Sequence, residues 1–349
     1  MTANRKSVVR FDVWLHEAFD QRLAKEPDIV STVCARNGEE DAAWQALAGA
    51  HVYQISSAKD ELPKRWFATS ELLAKCPHLV CVSASGAGYD TVDVPACTAA
   101  GVIVVNQAGG NANSVAEHAI GLMLSLMKKI AECDRRLHLD RGWPREVMMG
   151  RELNGKTLGI IGIGHVGTRM AQFARVFNMP ALAYDPYLKP EEIRARGAEP
   201  VDLDGLLARA DIVSVHCPRA KDTIGMLGAA QFGRMKPGAI FINTARGGIH
   251  DEQALHWALK SGHLAGAGLD VWDVEPPPLD HPLLKLDTVI ASHHTAGVTH
   301  EARRNMAAIN AEQIVGLLKG ERPPRLVNPE VWSAYVKRFE RILGLRVPA

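Results

Sequence analysis

"TLGIIGIGHVGTRMAQFARVFN", Thr157–Asn178, decides the fold. The apolar run "TLGIIGI" reads as a buried strand. Gly162, Gly164 and Gly167 follow in G-x-G-x-x-G spacing, and "TRMAQFARVFN" continues with helical periodicity. Strand, glycine turn and helix in that order open a nucleotide-binding βαβ unit. Gly162 permits the tight turn, Gly164 lets the backbone approach a pyrophosphate, and Gly167 lets the helix pack on the strand. The helix N-terminus faces the anion, and His165 and Val166 complete this candidate cofactor loop. The bland alternative is a tight strand-to-helix turn without a ligand.

The next strand ends "ALAYDPY", which places Asp185 about twenty residues past the loop, where an acid bonds the adenosine ribose hydroxyls. An acid there repels a 2′-phosphate, and no arginine follows it directly. NAD is therefore favoured over NADP. An acid capping a strand end is the plain alternative.

Outward from this unit the pattern repeats. Downstream, "DIVSVHC", "AIFINTA", "GAGLDVW" and "TVIAS" read as strands. Upstream, "SVVRFDVWL", "DIVSTVCA", "AHVYQIS", "HLVCVSAS" and "GVIVVNQ" alternate with helical stretches such as "EEDAAWQALAG" and "RWFATSELLAKC". Such alternation predicts parallel sheets with helices on both faces. Between the blocks, "NSVAEHAIGLMLSLMKKIAECDRRLHLDRG" reads as one extended helix that crosses between domains. Ser114 and Glu117 stand there at capping-box spacing. A last helix, "EARRNMAAINAEQIVGLLKG", precedes a polar tail containing "RPPRLVNP". The expected fold is α/β in two domains, residues 1–112 with 300–349, and residues 113–299, so that the N-terminal domain is discontinuous.

The 349 residues exceed one compact core and suit two. A formal net charge of +1 and scattered arginines argue against nucleic acid and anionic membranes. No window approaches the ~18 to 20 apolar residues of a membrane span. The start, "MTANRKSVVRFDVWLHEAF", lacks an apolar export segment and a cleavage site, so a cytoplasmic protein is expected. Six cysteines without a close pair read as free, mostly buried thiols.

Three more strand ends carry chemistry. "AIFINTARGG" ends in Arg246, "GAGLDVWDVEPPPL" in Glu275, and "TVIASHHTAG" in His293 and His294. Ligands of open parallel sheets bind outside the carboxyl ends of strands. Hydride transfer to a 2-oxo acid needs a clamp on carboxylate and carbonyl, which the planar fork of arginine provides. It also needs a proton donor working near neutrality, which histidine provides, and a carboxylate orients an imidazole and favours its protonated form. Singly, each is ordinary: an arginine in a salt bridge, a loop acid, a structural histidine. Together, after strands downstream of a dinucleotide loop, they point to one reaction. A metal is disfavoured, because neighbours on an extended segment point to opposite sides and no zinc-ligand spacing is present.

These motifs resemble the D-isomer-specific 2-hydroxyacid dehydrogenase family. The resemblance runs from about Ser83 to Asn328. It rests on "SGAGYDTVDV", "NANSVAEHAIGLML", "GRELNGKTLGIIGIGHVG", "VHCPRAKDT", "MKPGAIFINTARGG", "GAGLDVWDVEP" and "HPLLKLDTVIASHHTAG" in that order. It implies two Rossmann- or flavodoxin-like domains with the active site in the cleft, usually in a homodimer. By motif, Arg246 matches the substrate-binding arginine and Glu275 the glutamate paired with the histidine. His294 matches the acid/base, because the family pattern Pro-His-x-x-Gly ends here at Gly297. Asp270 matches the residue near the nicotinamide carboxamide, with Thr244 and Ala245 lining that pocket. His216, Cys217 and Pro218, with Thr223 in the same motif, match a cofactor-binding loop. Ser85, Gly86, Ala87 and Gly88 match the turn whose amides hold the substrate carboxylate, a plausible anion nest in its own right.

The departures bear on substrate. His293 stands where the family has proline. Glu275 argues against formate dehydrogenases, which carry glutamine there, and the "SASGAGYD" turn lacks the lysine of phosphite dehydrogenases. Ser56 replaces an arginine that phosphoglycerate dehydrogenases use for phosphate, although Lys59 is near. From the chain length, no added regulatory domain is expected. Glyoxylate, hydroxypyruvate, longer aliphatic or aromatic oxo acids and sulfonated ones all stay open. A dinucleotide-sensing corepressor or scaffold on the same fold is the alternative from another class.

Overall fold

In the computed structural model, which describes residues 5–347, the alternating pattern becomes two separate parallel sheets. Residues 1–4 and 348–349 lie outside the described residues. With them lie the start of the N-terminal stretch read for export and the outer ends of the expected 1–112 and 300–349 domain.

The first sheet holds β1 (Lys6–Phe11), β2 (Ile29–Cys34), β3 (Val52–Ile55), β4 (Cys81–Ala84) and β5 (Ile103–Val105) in the order β2-β1-β3-β4-β5. All its pairs are parallel. The connections carry α1 (Ala18–Leu23), α2 (Glu40–Ala48), α3 (Ser70–Lys75) and α4 (Val94–Ala99). Thr69 and Asp93 cap α3 and α4 by accepting the Leu72 and Ala96 N–H groups.

The chain then enters a second compact unit, Ala112–Val298. Here α5 (Ala112–Met127) and α6 (Ile130–Leu139) precede β6 (Leu158–Ile161), α7 (His165–Val176), β7 (Ala181–Tyr184), α8 (Pro190–Ala195) and β8 (Glu199–Pro200). Then follow α9 (Leu203–Arg209), β9 (Ile212–Val215), α10 (Ala229–Arg234), β10 (Ile240–Asn243), α11 (Glu252–Lys260), β11 (Gly266–Leu269) and β12 (Val289–Ala291). The sheet order is β12-β11-β10-β9-β6-β7-β8, a doubly wound sheet whose direction of winding reverses between β6 and β9. From Thr299 the chain returns to the first unit as α12 (His300–Leu318) and α13 (Trp332–Leu343). The two passages fall at Asn111/Ala112 and Val298/Thr299, at helix starts rather than along helices.

Strands buried on both faces explain the continuous apolar runs. In β1, Val9 and Phe11 pack with Leu47 of α2 and Leu72 of α3, while Val8 faces α1, α12 and α13. In β6, Leu158 and Ile160 pack with Met123 of α5 and Met170 of α7, whereas Ile161 joins Leu206 of α9. Each such large side chain, fully buried, stabilises by about 1.5–3 kcal/mol.

Three expectations fail locally. The extended helix after Asn113 breaks at Lys128–Lys129, where Lys129 takes φ 54°. The reason is tertiary: the Met127 carbonyl accepts the Arg151 N–H at 2.7 Å and so leaves the helical ladder. The capping box at Ser114 is absent, because α5 already begins at Ala112 and the Ser114 hydroxyl donates to the Ala296 carbonyl at 2.6 Å. The polar tail contains α13, whose Tyr335, Phe339 and Leu343 recur every fourth residue and are buried on the first sheet.

Candidate active site

The predicted site residues of the second unit all follow carboxyl ends of its strands. After β6, Gly162 adopts φ +87°, and a Cβ there would lie 2.7 Å from the Cys217 nitrogen. Only glycine lets this turn rest on the loop after β9. The Ile163 peptide is held at both ends: its N–H donates to Asp185 Oδ2 at 3.1 Å, and its carbonyl accepts from Arg196 Nη1 at 2.6 Å. Asp185 Oδ1 accepts the Tyr187 N–H at 3.1 Å. Gly164 and His165 are exposed at the start of α7, Val166 is half-buried, and Gly167 is buried where a Cβ would collide with the Gly162 carbonyl.

In the loop after β9, burial pushes the His216 imidazole down to about 3, so it is neutral. Its Nε2 lies 2.8 Å from Ser214 Oγ. Burial pushes the Cys217 thiol up to about 12, which leaves it protonated and poorly nucleophilic at neutral pH. Thr223 Oγ1 donates to the Pro218 carbonyl at 2.7 Å and accepts the Ala220 N–H at 2.7 Å. These two bonds shape the loop to which Thr223 belongs.

After β10, buried Asn243 organises Thr244–Arg246. Its Oδ1 accepts the Ala245 N–H at 2.9 Å, and its Nδ2 donates to the Arg246 carbonyl at 3.0 Å and to His250 Nδ1 at 3.0 Å. Arg246 is half-buried, with Nη1 donating to the Ala245 carbonyl at 2.7 Å. A Cβ on Gly247 would collide with the Trp272 carbonyl, so this loop lies directly against the one after β11.

The histidine pair separates in space. His293 is exposed, whereas His294 is half-buried with Nδ1 2.8 Å from Glu275 Oε2. Glu275 Oε1 accepts the Trp272 N–H at 3.1 Å. Burial alone would push the Glu275 carboxyl up. The hydrogen bond and charge of His294, the Trp272 N–H and the Arg246 charge outweigh this and hold it below its usual range. With Nδ1–H directed at a carboxylate, Nε2 is the ring nitrogen left to exchange a proton.

His294 sits at φ +48°, a left-handed conformation that costs a non-glycine residue about 1–3 kcal/mol. Fully buried Asp270 holds it there. Its carbonyl accepts the His294 N–H at 2.7 Å. Its Oδ1 accepts the Ser292 hydroxyl at 2.7 Å and the Thr295 N–H at 2.8 Å, and its Oδ2 accepts the Ala296 N–H at 2.9 Å. The Trp272 indole donates to the Ser292 carbonyl at 3.0 Å. No local spacing marks the Trp272 indole, Ser292 or Arg196, because the partners that they hold, Ser292, Asp270 and Ile163, lie far away in sequence.

The Ser85–Gly88 turn belongs to the first unit. Gly86 takes φ +83°. Two amides of this turn have partners within the first unit. The Ser85 N–H donates to the Ile55 carbonyl at 2.8 Å and the Gly86 N–H to Gln107 Oε1 at 2.7 Å. Among the described residues, no hydrogen bond occupies the Ala87 and Gly88 N–H groups.

The strand ends of the second unit fit a dinucleotide. Gly164 has no heavy atom within 4 Å of where a Cβ would stand, which opens the start of the 12-residue α7. Among the described residues, Thr244 Oγ1 after β10 and His216 Nδ1 after β9 are buried polar atoms without a partner. A buried polar group left unpaired is costly, and a ligand that pairs it removes that cost.

The second unit is thus a parallel doubly wound sheet that carries a histidine–glutamate pair and an arginine on the loops after its strands, the class of fold that binds dinucleotides at its strand ends. The family model for the D-isomer specific 2-hydroxyacid dehydrogenase NAD binding domain matches residues 120–296. D-3-phosphoglycerate dehydrogenase of Archaeoglobus fulgidus is 46% identical over 251 residues, 72% of this chain and 47% of that protein. Glyoxylate reductase of Korarchaeum cryptofilum is 39% identical over 265 residues, 75% of this chain and 80% of that protein. The crystal structure of D-lactate dehydrogenase from Aquifex aeolicus complexed with NAD and lactic acid superposes with a TM-score of 0.77 at 27% identity, covering 92% of this chain and 98% of that one. The chain belongs to the D-isomer specific 2-hydroxyacid dehydrogenase family and carries its NAD-binding domain. It spans about half the length of the phosphoglycerate dehydrogenase that it matches.

Proposed function

We propose that the chain is an NAD-dependent oxidoreductase that interconverts a small 2-hydroxy acid and its 2-oxo acid. The observation that carries this reading is the His294–Glu275 pair at 2.8 Å, with the Arg246 charge acting on the same carboxylate, at the strand ends of an NAD-binding sheet. When bound, the nicotinamide cofactor supplies or accepts the hydride. His294 Nε2 donates a proton to the carbonyl oxygen in reduction and removes it from the hydroxyl in oxidation. Glu275 orients the ring and balances the imidazolium charge. Arg246 binds the substrate carboxylate and carbonyl, and the Ser85–Gly88 turn offers its Ala87 and Gly88 amides to the carboxylate.

NAD is assigned to Gly162–Gly167, Asp185, the loop of His216, Cys217, Pro218 and Thr223, and Thr244–Arg246. Asp270, His294 and Gly297 complete its binding set. In this assignment residues 113–299 bind the cofactor, and residues 1–112 with 300–349 bind the substrate. Asp185 is the reason for NAD over NADP. An unphosphorylated substrate is favoured, because Ser56 is hydrogen-bonded to Glu61, whose carboxylate would oppose a phosphate there.

Among the described residues no helix is long and apolar enough to cross a membrane. We further propose a cytoplasmic homodimer that engages neither nucleic acid nor membrane. In its support, α6 has no buried residue and leaves Leu139 87% exposed, near exposed Met149 in sequence. Light scattering on a sizing column would give twice the chain mass for a dimer. NADH oxidation assayed with glyoxylate, hydroxypyruvate and aliphatic, aromatic and sulfonated 2-oxo acids tests the reaction. Tight NADH binding without turnover on any of them would reject it in favour of a dinucleotide-sensing scaffold.

A further inference from the structure

The loop that carries His294 is gripped from one helix. Ser114 and His118 lie four residues apart on α5 and therefore share a face. The Ser114 hydroxyl donates to the Ala296 carbonyl at 2.6 Å, and His118 Nε2 lies 2.9 Å from Ser292 Oγ. Ser292 and Ala296 are the two ends of the turn in which His294 holds its left-handed conformation.

The direction of the His118 contact follows from counting protons. The Ser292 hydroxyl donates its hydrogen to Asp270 Oδ1 at 2.7 Å, an oxygen that also accepts the Thr295 N–H at 2.8 Å. The hydroxyl has no second proton, so its oxygen must accept from His118. His118 Nε2 therefore carries hydrogen, and the chain runs from His118 N–H through Ser292 O–H to Asp270. His118 Nε2 is itself 3.8 Å from Asp270 Oδ1. Linked donors of this kind polarise and strengthen one another.

We infer that His118 is a positioning residue for His294, and that with Ser114 it makes α5 the clamp on the acid–base loop. The functional half of this inference rests on the role proposed for His294 above. A strained residue keeps its conformation only where its surroundings over-determine it. Asp270 supplies that from inside the sheet, and His118 orients the Ser292 hydroxyl that Asp270 receives. The clamp works through geometry, since His118 touches neither Glu275 nor the ring of His294 in any hydrogen bond of the described residues.

The test compares His118→Leu, which removes the donor, with His118→Gln, whose amide nitrogen can replace Nε2–H. His118→Asn, with a shorter reach, substitutes for the leucine variant if that variant does not fold. Amide hydrogen exchange is read at His294, Thr295 and Ala296 in the full chain without cofactor. The expected result is exchange faster by about tenfold or more at these amides in His118→Leu, with α7 and β6 unchanged and His118→Gln near wild type. In turnover with NADH and the best 2-oxo acid, kcat is expected to fall between about tenfold and 10²-fold, with KM for NADH within about twofold and recovery in His118→Gln. Unchanged exchange overturns the clamp, as does a uniform rise across the unit, which would mark a merely structural residue. Loosened amides with unchanged kcat overturn the positioning role. If wild type reduces no 2-oxo acid, the proposed function fails, while exchange at 295 and 296 still decides the clamp.

Discussion

Glu275 holds His294 Nδ1 at 2.8 Å through one carboxylate oxygen while the other accepts the Trp272 N–H at 3.1 Å. The carboxylate is thus fixed by backbone before it orients the ring. Glu275→Gln keeps the shape and removes the charge. Turnover is expected to fall roughly 10²-fold, with the dissociation constant for NADH little changed. An unaltered kcat would show that the pair does not serve proton transfer.

His294 and His293 should differ sharply. His294→Ala is expected to lower kcat by about 10²- to 10⁴-fold, the scale of a lost general acid. His293, exposed, should tolerate alanine with a change of less than about threefold. Steady-state kinetics on both variants decide the assignment, and a larger loss in His293→Ala would reverse it.

Asp185 has two tasks to separate. It accepts the Ile163 N–H, so Asp185→Ala should loosen the glycine loop for any dinucleotide. Its charge is also expected to exclude a 2′-phosphate. The informative quantity is the ratio of kcat/KM for NADH to that for NADPH, expected to drop by about tenfold or more. If only the absolute rates fell and the ratio held, the specificity role would be lost.

Acid should destabilise the second unit through His250. Burial holds this imidazole down at about 4, against about 6.5 in an unfolded chain. Between those values the unfolded chain binds more protons, so stability rises with pH across that window. The contribution is complete above about pH 6.5 and is lost as pH falls toward 4, an effect on the order of 3 kcal/mol. His250→Asn, which retains an acceptor for Asn243 Nδ2, should flatten that slope in urea titrations at pH 4.5 and 7. An equal slope in both proteins would sink the assignment.

The last helix is structural. Phe339 is fully buried between α13 and the first sheet. Phe339→Ala is expected to cost about 3–5 kcal/mol of unfolding free energy. Chemical denaturation that moved by less than about 1 kcal/mol would mean that α13 packs weakly.

Much of the fold was legible because its signals are local. A strand buried on both faces needs a continuous apolar run, and "TLGIIGI" supplies one; a phosphate turn needs glycine where φ is positive or where backbone approaches backbone, and Gly162 meets both needs. The strand-end positions of Arg246, Glu275 and His294 follow from the same alternation. The helix break at Lys129 was not legible, because the apolar period continues past it and only the Arg151 N–H, distant in sequence, takes the Met127 carbonyl. The amphipathic period of α13 was present but masked by its charges.

By itself, then, the sequence determined two parallel α/β units, a glycine turn fit for a pyrophosphate, and the residue types at the strand ends. These depend on periodicity and on backbone sterics, which act within a few residues. Only the tertiary structure decided which groups are spent and which are offered. Ser85 and Gly86 lose their amides to Ile55 and Gln107, and Thr223 closes its own loop. Asp270 becomes the buried hub of the His294 turn, with Ser292 and His118 aligned behind it. Hydrogen bonds are satisfied in three dimensions, and Ser85, Gly86, His118 and Ser292 find their partners across separations in sequence that no local pattern encodes.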